Sequence, residues 1–140
     1  MSGFHHRLLL WAAATDRTFR IEDRNGERFI VGKCIHCNAL RTLDLRGEPG
    51  PGTTLEHIVP RHHGGTHALA NIAIACARCN GQKGSRLDHR PWHDATLQAV
   101  ITRLKERREA RWREAPEAWG LPPRPPEVEG PDPGTPSDHS

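Results

Sequence analysis

Two Cys-x-x-Cys pairs constrain this chain more than any other feature of its sequence. Cys34 and Cys37 form the first pair, Cys76 and Cys79 form the second, and 38 residues lie between them. Two residues between ligands let both sulfurs of one turn face the same ion, and two such turns complete a tetrahedral thiolate site. The spacing therefore predicts that the fold brings both pairs around one structural zinc ion.

Other interpretations of the cysteines are a pair of disulfides, four unrelated thiols, or a site in which His36 replaces one cysteine. The chain shows no clear secretory signal, and the two pairs are matched in spacing. Thiols stay reduced in the cytoplasm, where we expect the protein to be, so the zinc interpretation is favoured. No apolar run approaches membrane-spanning length, and we expect no membrane partner.

The apolar content is low enough for a bound metal to matter. Of 140 residues, 35% are hydrophobic and 5% are aromatic. This length predicts one domain with a small core, for which a metal site is a common second source of stability.

Charge is distributed unevenly along the chain. Residues 1–114 contain 19 Lys and Arg against 12 Asp and Glu, whereas residues 115–140 contain 1 against 5. A basic body suits a polyanionic partner such as nucleic acid, although ordinary soluble proteins also carry such an excess. The segment 115–140 is also rich in proline and has no apolar face, which predicts an acidic, disordered tail.

The first part of the chain predicts a helix and a hairpin. Residues 4–14 form the predicted helix. Thr18–Glu22 and Arg28–Gly32 then alternate in hydrophobicity around Asn25-Gly26. Asn-Gly between alternating segments indicates a hairpin, because both turn positions require a positive φ.

The rest of the domain, which we expect to span 1–114, predicts further short strands and two helices. Residues 38–47, 55–59 and 71–76 are predicted strands, and a short helix is expected to begin after the last of them and to end near residue 84. Apolar residues recur at helical spacing from residue 97 on, which predicts a long helix over 93–114. The chain is therefore expected to be a small α+β protein with an N-terminal hairpin and a C-terminal helix.

Between the cysteine pairs lies a set of residues suited to cutting a phosphodiester bond. His57 can take a proton from the attacking water, because the pKa of imidazole lies near neutrality. Glu56 and Asn80 offer hard oxygen ligands of the kind that Mg²⁺ prefers. Lys83 and Arg86 can grip the nucleic-acid backbone.

The segment 34–86 resembles the HNH endonuclease family, whose ββα-metal motif is flanked by zinc knuckles in many members. The resemblance rests on the following elements: Glu56-His57, Ile58-Val59-Pro60, Gly64-Gly65, Asn71 before Ile72, and Cys76-x-x-Cys79-Asn80 with Lys83. It implies that His57 is the general base and that Glu56 and Asn80 hold a catalytic Mg²⁺ or Mn²⁺. It also implies that Asn71 braces the loop that orients the histidine and that the zinc ligands are structural.

The resemblance further implies a ββα-metal core within an HNH nuclease domain, and DNA as substrate. Protein partners of a phage packaging or restriction system are a further expectation, and RNA stays open as a substrate. Two positions depart from the commonest pattern, since Glu56 stands where Asp is more usual and Asn80 where many members have a third histidine. Both leave the preferred catalytic metal open.

Simpler interpretations stand beside these. Glu56 alone would be taken for a surface charge, Asn80 for a helix N-cap, and Lys83 and Arg86 for residues that favour a helix C-terminus. The basic stretch 103–113 is typical of a solvated helix face. The alternative for the whole chain is a non-catalytic zinc module that binds nucleic acid or protein, which would have no need of an acid–histidine pair at a strand end.

Overall fold

The computed structural model describes residues 3–127 and confirms a small α+β protein. Within those residues, no helix combines the length and the apolar character that crossing a membrane requires. The helices and strands, in chain order, are α1 Phe4–Ala14, β1 Arg20–Arg24, β2 Glu27–Lys33, β3 Leu40–Asp44, β4 Thr53–His57, β5 Ile72–Cys76, α2 Ala77–Lys83 and α3 Ala95–Ala110.

The predicted N-terminal hairpin is confirmed. Strands β1 and β2 pair in antiparallel fashion on either side of Asn25 and Gly26, whose φ angles are 53° and 84°. Two positive φ values are what a tight hairpin turn of the right twist requires. Strand β3 adds to the far side of β2, which gives a three-stranded antiparallel sheet in the order β1-β2-β3.

Strands β4 and β5 form a separate two-stranded antiparallel sheet, and α2 follows β5 directly. This is the expected ββα arrangement. Strand β4 begins and ends two residues earlier than the predicted 55–59. The reason is that the side-chain amide of Asn71, instead of a neighbouring strand, binds both the N–H and the C=O of Val59.

Strand β5 is the centre of the core, because both of its faces are buried. Ile72 and Ile74 point into a cluster formed with α1 and the three-stranded sheet. Ala73 and Ala75 point into a second cluster, which contains three residues of α3: Leu97, Ile101 and Leu104. A strand buried on both faces explains why its sequence is continuously apolar instead of alternating.

The basic stretch at the end of α3 is structural, which corrects its interpretation as a solvated face. Arg107 donates to the carbonyl oxygens of Ile35 and His36, at 3.2 and 2.9 Å. Arg113 donates to the carbonyl of Ala14 at 2.8 Å. Most of these guanidinium groups therefore bind main-chain oxygens of other elements, and only Arg103 and Lys105 of the stretch are exposed cations.

Arg108 is the extreme case, with 1% of its surface exposed. Its guanidinium donates to the carbonyls of Leu69 and Ile72, at 3.2 and 2.9 Å, and to the carbonyl and hydroxyl of Thr15, at 2.9 and 2.6 Å. Burial lowers the pKa of Arg108 to about 10, against the opposing effect of Asp16. The side chain joins α1, the start of β5 and α3 at a single point.

The segment 115–127 is packed against the domain, whereas the sequence predicted disorder from residue 115 on. Trp119 and Leu121 pack on the cluster around α1, and the indole N–H of Trp11 donates to the carbonyl of Pro122 at 2.9 Å. Two apolar side chains and the hydrogen bond from Trp11 thus hold in place a segment whose composition alone favours disorder. The remainder of the expected tail, 128–140, lies outside the described residues.

We predict that Arg108→Lys lowers the free energy of unfolding by roughly 2–4 kcal/mol, because lysine keeps the charge but cannot reach all four acceptors and leaves buried carbonyls unpaired. The matched control is Arg103→Lys at an exposed position of the same helix, which should change stability by less than about 0.5 kcal/mol. Denaturant unfolding of both variants measures the difference. Equal losses in the two variants would contradict a structural role for Arg108.

Candidate active site and metal centre

The four cysteines lie together, as predicted. One Sγ atom from each lies within 4.8 Å of the others, and the Sγ atoms of Cys37 and Cys76 are 3.6 Å apart. Zinc with four thiolates at 2.3 Å requires sulfurs about 3.8 Å apart, so the cluster fits a tetrahedral zinc site. All four are free thiols, which excludes the disulfide interpretation in this structure.

The two knuckles are held in register by main-chain contacts. The Sγ of Cys34 accepts the N–H groups of His36 and Cys76, at 3.3 and 3.2 Å. Ile35 donates its N–H to the carbonyl of Ile74 at 3.0 Å. The first knuckle directly follows β2 and the second joins β5 to α2, so a zinc ion here would connect the two sheets.

The thiol pKa values reflect this crowding. Burial raises the pKa of Cys76 to about 11 and that of Cys79 to about 12, whereas a backbone hydrogen bond from Ala39 lowers the pKa of Cys37 to about 7. A divalent cation favours the thiolate form of every ligand. Zinc binding therefore releases protons from this cluster.

His36 is not a member of the sulfur cluster. Its Nε2 contacts Oε1 of Glu56 instead, so the first knuckle directly contacts the predicted catalytic carboxylate. From the sequence, His36 is predicted only as an alternative zinc ligand. Its position between two predicted zinc ligands indicates only that His36 lies near the metal. Its contact with Glu56 depends on how the knuckle packs against β4.

Glu56 is fully buried, which rules out its interpretation as a surface charge. Oε1 contacts His36, and Oε2 lies 3.8 Å from Nζ of Lys83. Among the described residues, Oε2 is a buried oxygen with no hydrogen-bond partner. A buried carboxylate with one open oxygen fits the role of ligand to a divalent cation.

Asn80 lies within α2, whose N-cap is Cys76, so the N-cap interpretation of Asn80 is wrong. Its Nδ2 donates to the carbonyl of Leu55 at 3.2 Å, one residue before Glu56 on β4. With the amide nitrogen oriented by this bond, Oδ1 is the atom left to act as a hard ligand. The donor set therefore fits Mg²⁺ or Mn²⁺.

His57 is the last residue of β4 and is half-buried. Its Nε2 lies 2.9 Å from Nδ1 of His67. Burial lowers the pKa of His57 to about 4, and positive charge at His67 and Arg61 acts in the same direction. The imidazole is therefore neutral at pH 7 and able to accept a proton, while an approaching phosphate would raise its pKa toward neutrality.

His67 is a further residue of this site, and none of the sequence motifs singles it out. It is only 4% exposed, and its ring also packs edge-on against Phe4, with ring centroids 5.2 Å apart. Contact with His57 is set by closure of a ten-residue loop. No local pattern in the sequence encodes that closure.

Asn71 closes this loop. Its Oδ1 accepts the N–H of Val59 at 2.8 Å, and its Nδ2 donates to the carbonyls of Val59 and Thr66, at 3.2 and 2.9 Å. Gly65 passes so close that an added Cβ would lie 1.8 Å from the carbonyl oxygen of Val59. Asn71 thus ties the start of this loop at Val59 to its end at Thr66, and its role toward His57 stays a prediction.

The two predicted phosphate-binding residues have different surroundings. Lys83 is 4% exposed, and its Nζ donates to Oδ1 of Asp88 at 2.8 Å and to the carbonyl of His57 at 3.3 Å. Arg86 is exposed on the π-helical turn Gly84–Asp88. The structure thus brings Lys83 together with Glu56 and His57, and leaves Arg86 on the surface outside this group.

Residues 34–86 match the family model of the HNH endonucleases, which confirms the resemblance over that segment. No curated protein and no solved structure shows significant similarity to the chain. The matched segment contains all four cysteines and every predicted site residue. The match and the cysteine cluster together support a nuclease-type function with a zinc site.

We predict that purified protein contains about one zinc ion per chain and that a chelator removes the ion together with the tertiary structure. No cysteine lies outside the cluster to act as a control. The control is therefore a substitution that replaces a cysteine with another residue able to bind zinc. Cys37→His should retain zinc, whereas Cys37→Ser should lose most of it. Metal analysis and near-ultraviolet circular dichroism measure both. Metal-free protein with an unchanged spectrum would refute the zinc assignment.

The pKa of His57 predicts a loss of stability in acid. Between pH 6.5 and pH 4, the unfolded chain binds more protons at this residue than the folded chain does, so the free energy of unfolding decreases as pH falls through that window. The contribution is fully present above pH 6.5.

Denaturant unfolding of the wild type and of His57→Asn at several pH values isolates this contribution from that of the thiolates. The stability difference between the two proteins should shrink from pH 7 to pH 4. His93→Asn, at an exposed position, controls for the loss of an imidazole. A difference of the same size at both pH values would contradict the assigned direction.

Proposed function

We propose that this chain is a metal-dependent endonuclease that hydrolyses DNA phosphodiester bonds. The observation that carries the proposal is a fully buried glutamate next to a half-buried, neutral histidine at the end of β4. Both lie against the helix that supplies Asn80, within the segment that matches the family. A binding module has no use for a buried carboxylate with an open oxygen beside an imidazole of lowered pKa.

The chain's own residues have distinct tasks in this reaction. Glu56 and Asn80 would hold Mg²⁺ or Mn²⁺, which when bound neutralises charge on the phosphate and on the leaving oxygen. His57 accepts the proton of the attacking water. His67 contacts Nε2 of His57 and thereby fixes the orientation of the ring.

The zinc knuckle supports this site from two directions. Through His36 it contacts Glu56, and through Cys76 and Cys79 it fixes the start of α2, which carries Asn80. Catalytic groups must be held to within a fraction of an ångström by the residues behind them. Loss of zinc is therefore expected to abolish cleavage even though zinc takes no part in the chemistry.

We propose DNA as the substrate because residues 34–86 match the HNH endonucleases. Cleavage of a phosphodiester bond by these residues also needs an exposed, charged backbone. The basic residues that stay at the surface after the structural arginines are set aside include Arg61, Arg86 and Arg90. They lie on the loop after β4 and on the segment after α2, on either side of the site. Such cations bind phosphates regardless of sequence, so little sequence preference is expected.

Nicking of supercoiled plasmid with Mg²⁺ or Mn²⁺ tests the proposal. We predict that His57→Ala reduces the rate by roughly 10²–10⁴-fold, the usual contribution of a general base. His93→Ala, which removes an exposed histidine, should cut like the wild type.

Each preparation must retain zinc, so that loss of activity does not report unfolding. Equal cleavage by the wild type and His57→Ala would remove His57 from the mechanism. No cleavage of DNA by zinc-loaded wild type with any divalent metal would leave the non-catalytic zinc module as the better description. Cleavage of RNA alone, under the same conditions, would overturn the choice of substrate.

A further inference from the structure

Four aromatic rings gather at the surface beside the candidate active site. His62 and His63 have ring centroids 4.2 Å apart, and His63 lies 5.4 Å from Trp92. His62 and His89 are 5.8 Å apart with an interplanar angle of 21°. We call these residues, His62, His63, His89 and Trp92, the ring cluster.

The ring cluster is built from two segments that flank the site. His62 and His63 lie in the 3-10 turn Arg61–His63, which follows β4 shortly after His57. His89 follows Asp88, whose carboxylate binds the same Lys83 that donates to the carbonyl of His57. Nε2 of His63 lies 3.0 Å from the carbonyl oxygen of Arg90, which joins the two segments. The rings therefore lie on two segments that are bonded to each other, and one of them is tied through Asp88 and Lys83 to the main chain of His57.

Packing of the core does not explain these rings. His62 and His89 are exposed, Trp92 is 39% exposed, and none of the four belongs to either buried cluster. A metal site does not explain them either. Within residues 3–127, the group of side chains close enough together to hold a metal ion is the four cysteines. Arg61, Arg86 and Arg90, which lie on the same two segments, are exposed cations.

We propose that the ring cluster is a stacking site for an unpaired base of the DNA strand that is cut, and this inference rests on the proposed function. Aromatic side chains flanked by cations bind single-stranded nucleic acid, because every base has a face that can stack. The faces of bases in an intact duplex are covered by their neighbours. The surface therefore favours DNA that is single-stranded, frayed or gapped near the scissile phosphate.

Binding of labelled oligonucleotides to the zinc-loaded full chain tests the inference. The background is His57→Ala, so that no probe is cut, and fluorescence anisotropy measures the affinity for one single strand and for the same sequence fully paired. Trp92→Ala should weaken single-strand binding about tenfold, whereas duplex affinity should stay the same. Trp92→Phe should retain binding, because phenylalanine can also stack.

Trp112→Ala is the matched control, because Trp112 is 37% exposed and stacks on Arg108, far along the sequence from the ring cluster. It should leave both affinities unchanged. Equal losses for the single strand and the duplex, or no loss for either in Trp92→Ala, would overturn the proposal.

A second measurement does not depend on the folding of a variant. In a series of oligonucleotides, each probe keeps all its phosphates but lacks the base at one position. The probe that lacks the stacked base should bind the unmodified ring cluster more weakly than the others, and that position should lie near the scissile phosphate. Uniform affinity along the series would overturn the stacking site. Because the readout is binding, this result is separate from the nicking assay, whose failure would instead remove the endonuclease.

Discussion

The four-thiol cluster is the constraint on which the rest of the structure depends. It lies where β2 leaves the three-stranded sheet and where β5 passes into α2, so one ion would join the two sheets. The same knuckle directs His36 onto Glu56. A domain with this little apolar surface has a marginal core, and a metal that binds only the folded chain adds its binding free energy to folding. Stability and the geometry around Glu56 thus have a common origin.

Helix α3 supports the knuckle from outside. Arg107 binds the carbonyls of Ile35 and His36, and Arg111 binds the carbonyls of Lys33 and Cys34. Guanidinium suits this purpose because its planar array of donors can satisfy several carbonyls that no strand or helix pairs. The number of arginines in the domain therefore does not measure the positive charge that is exposed at its surface. Much of the basic excess of the domain is used internally, so fewer cations are exposed at the surface than a count of arginines suggests.

The features that could be predicted from the sequence are those set by near neighbours in the chain. Asn25-Gly26 fixes its own turn, and the cysteine spacing fixes two knuckles, because in each case the chemistry acts within a few residues. The partners of His36 and His67 could not be predicted in this way, nor could the contacts of Lys83 with Asp88 and with the carbonyl of His57. Each partner is determined by which loop closes on which strand. The packing of 115–127 was missed for the same reason, since Trp119 and Leu121 act only through contact with α1.

The surroundings of Glu56 show how a site can hold a buried charge before and after a cation binds. A fully buried carboxylate is costly unless it is paired, and Lys83 and His36 supply that pairing. Oε2 lies 3.8 Å from Nζ of Lys83. A divalent cation bound by Oε2 would replace Lys83 as its partner and would leave the buried ammonium of Lys83 in need of other partners. Lys83 has two other partners, Asp88 and the carbonyl of His57, which can hold its charge in place. Asp88 thereby balances the lysine, so the carboxylate of Glu56 could bind a metal ion without disturbing the strand that carries His57.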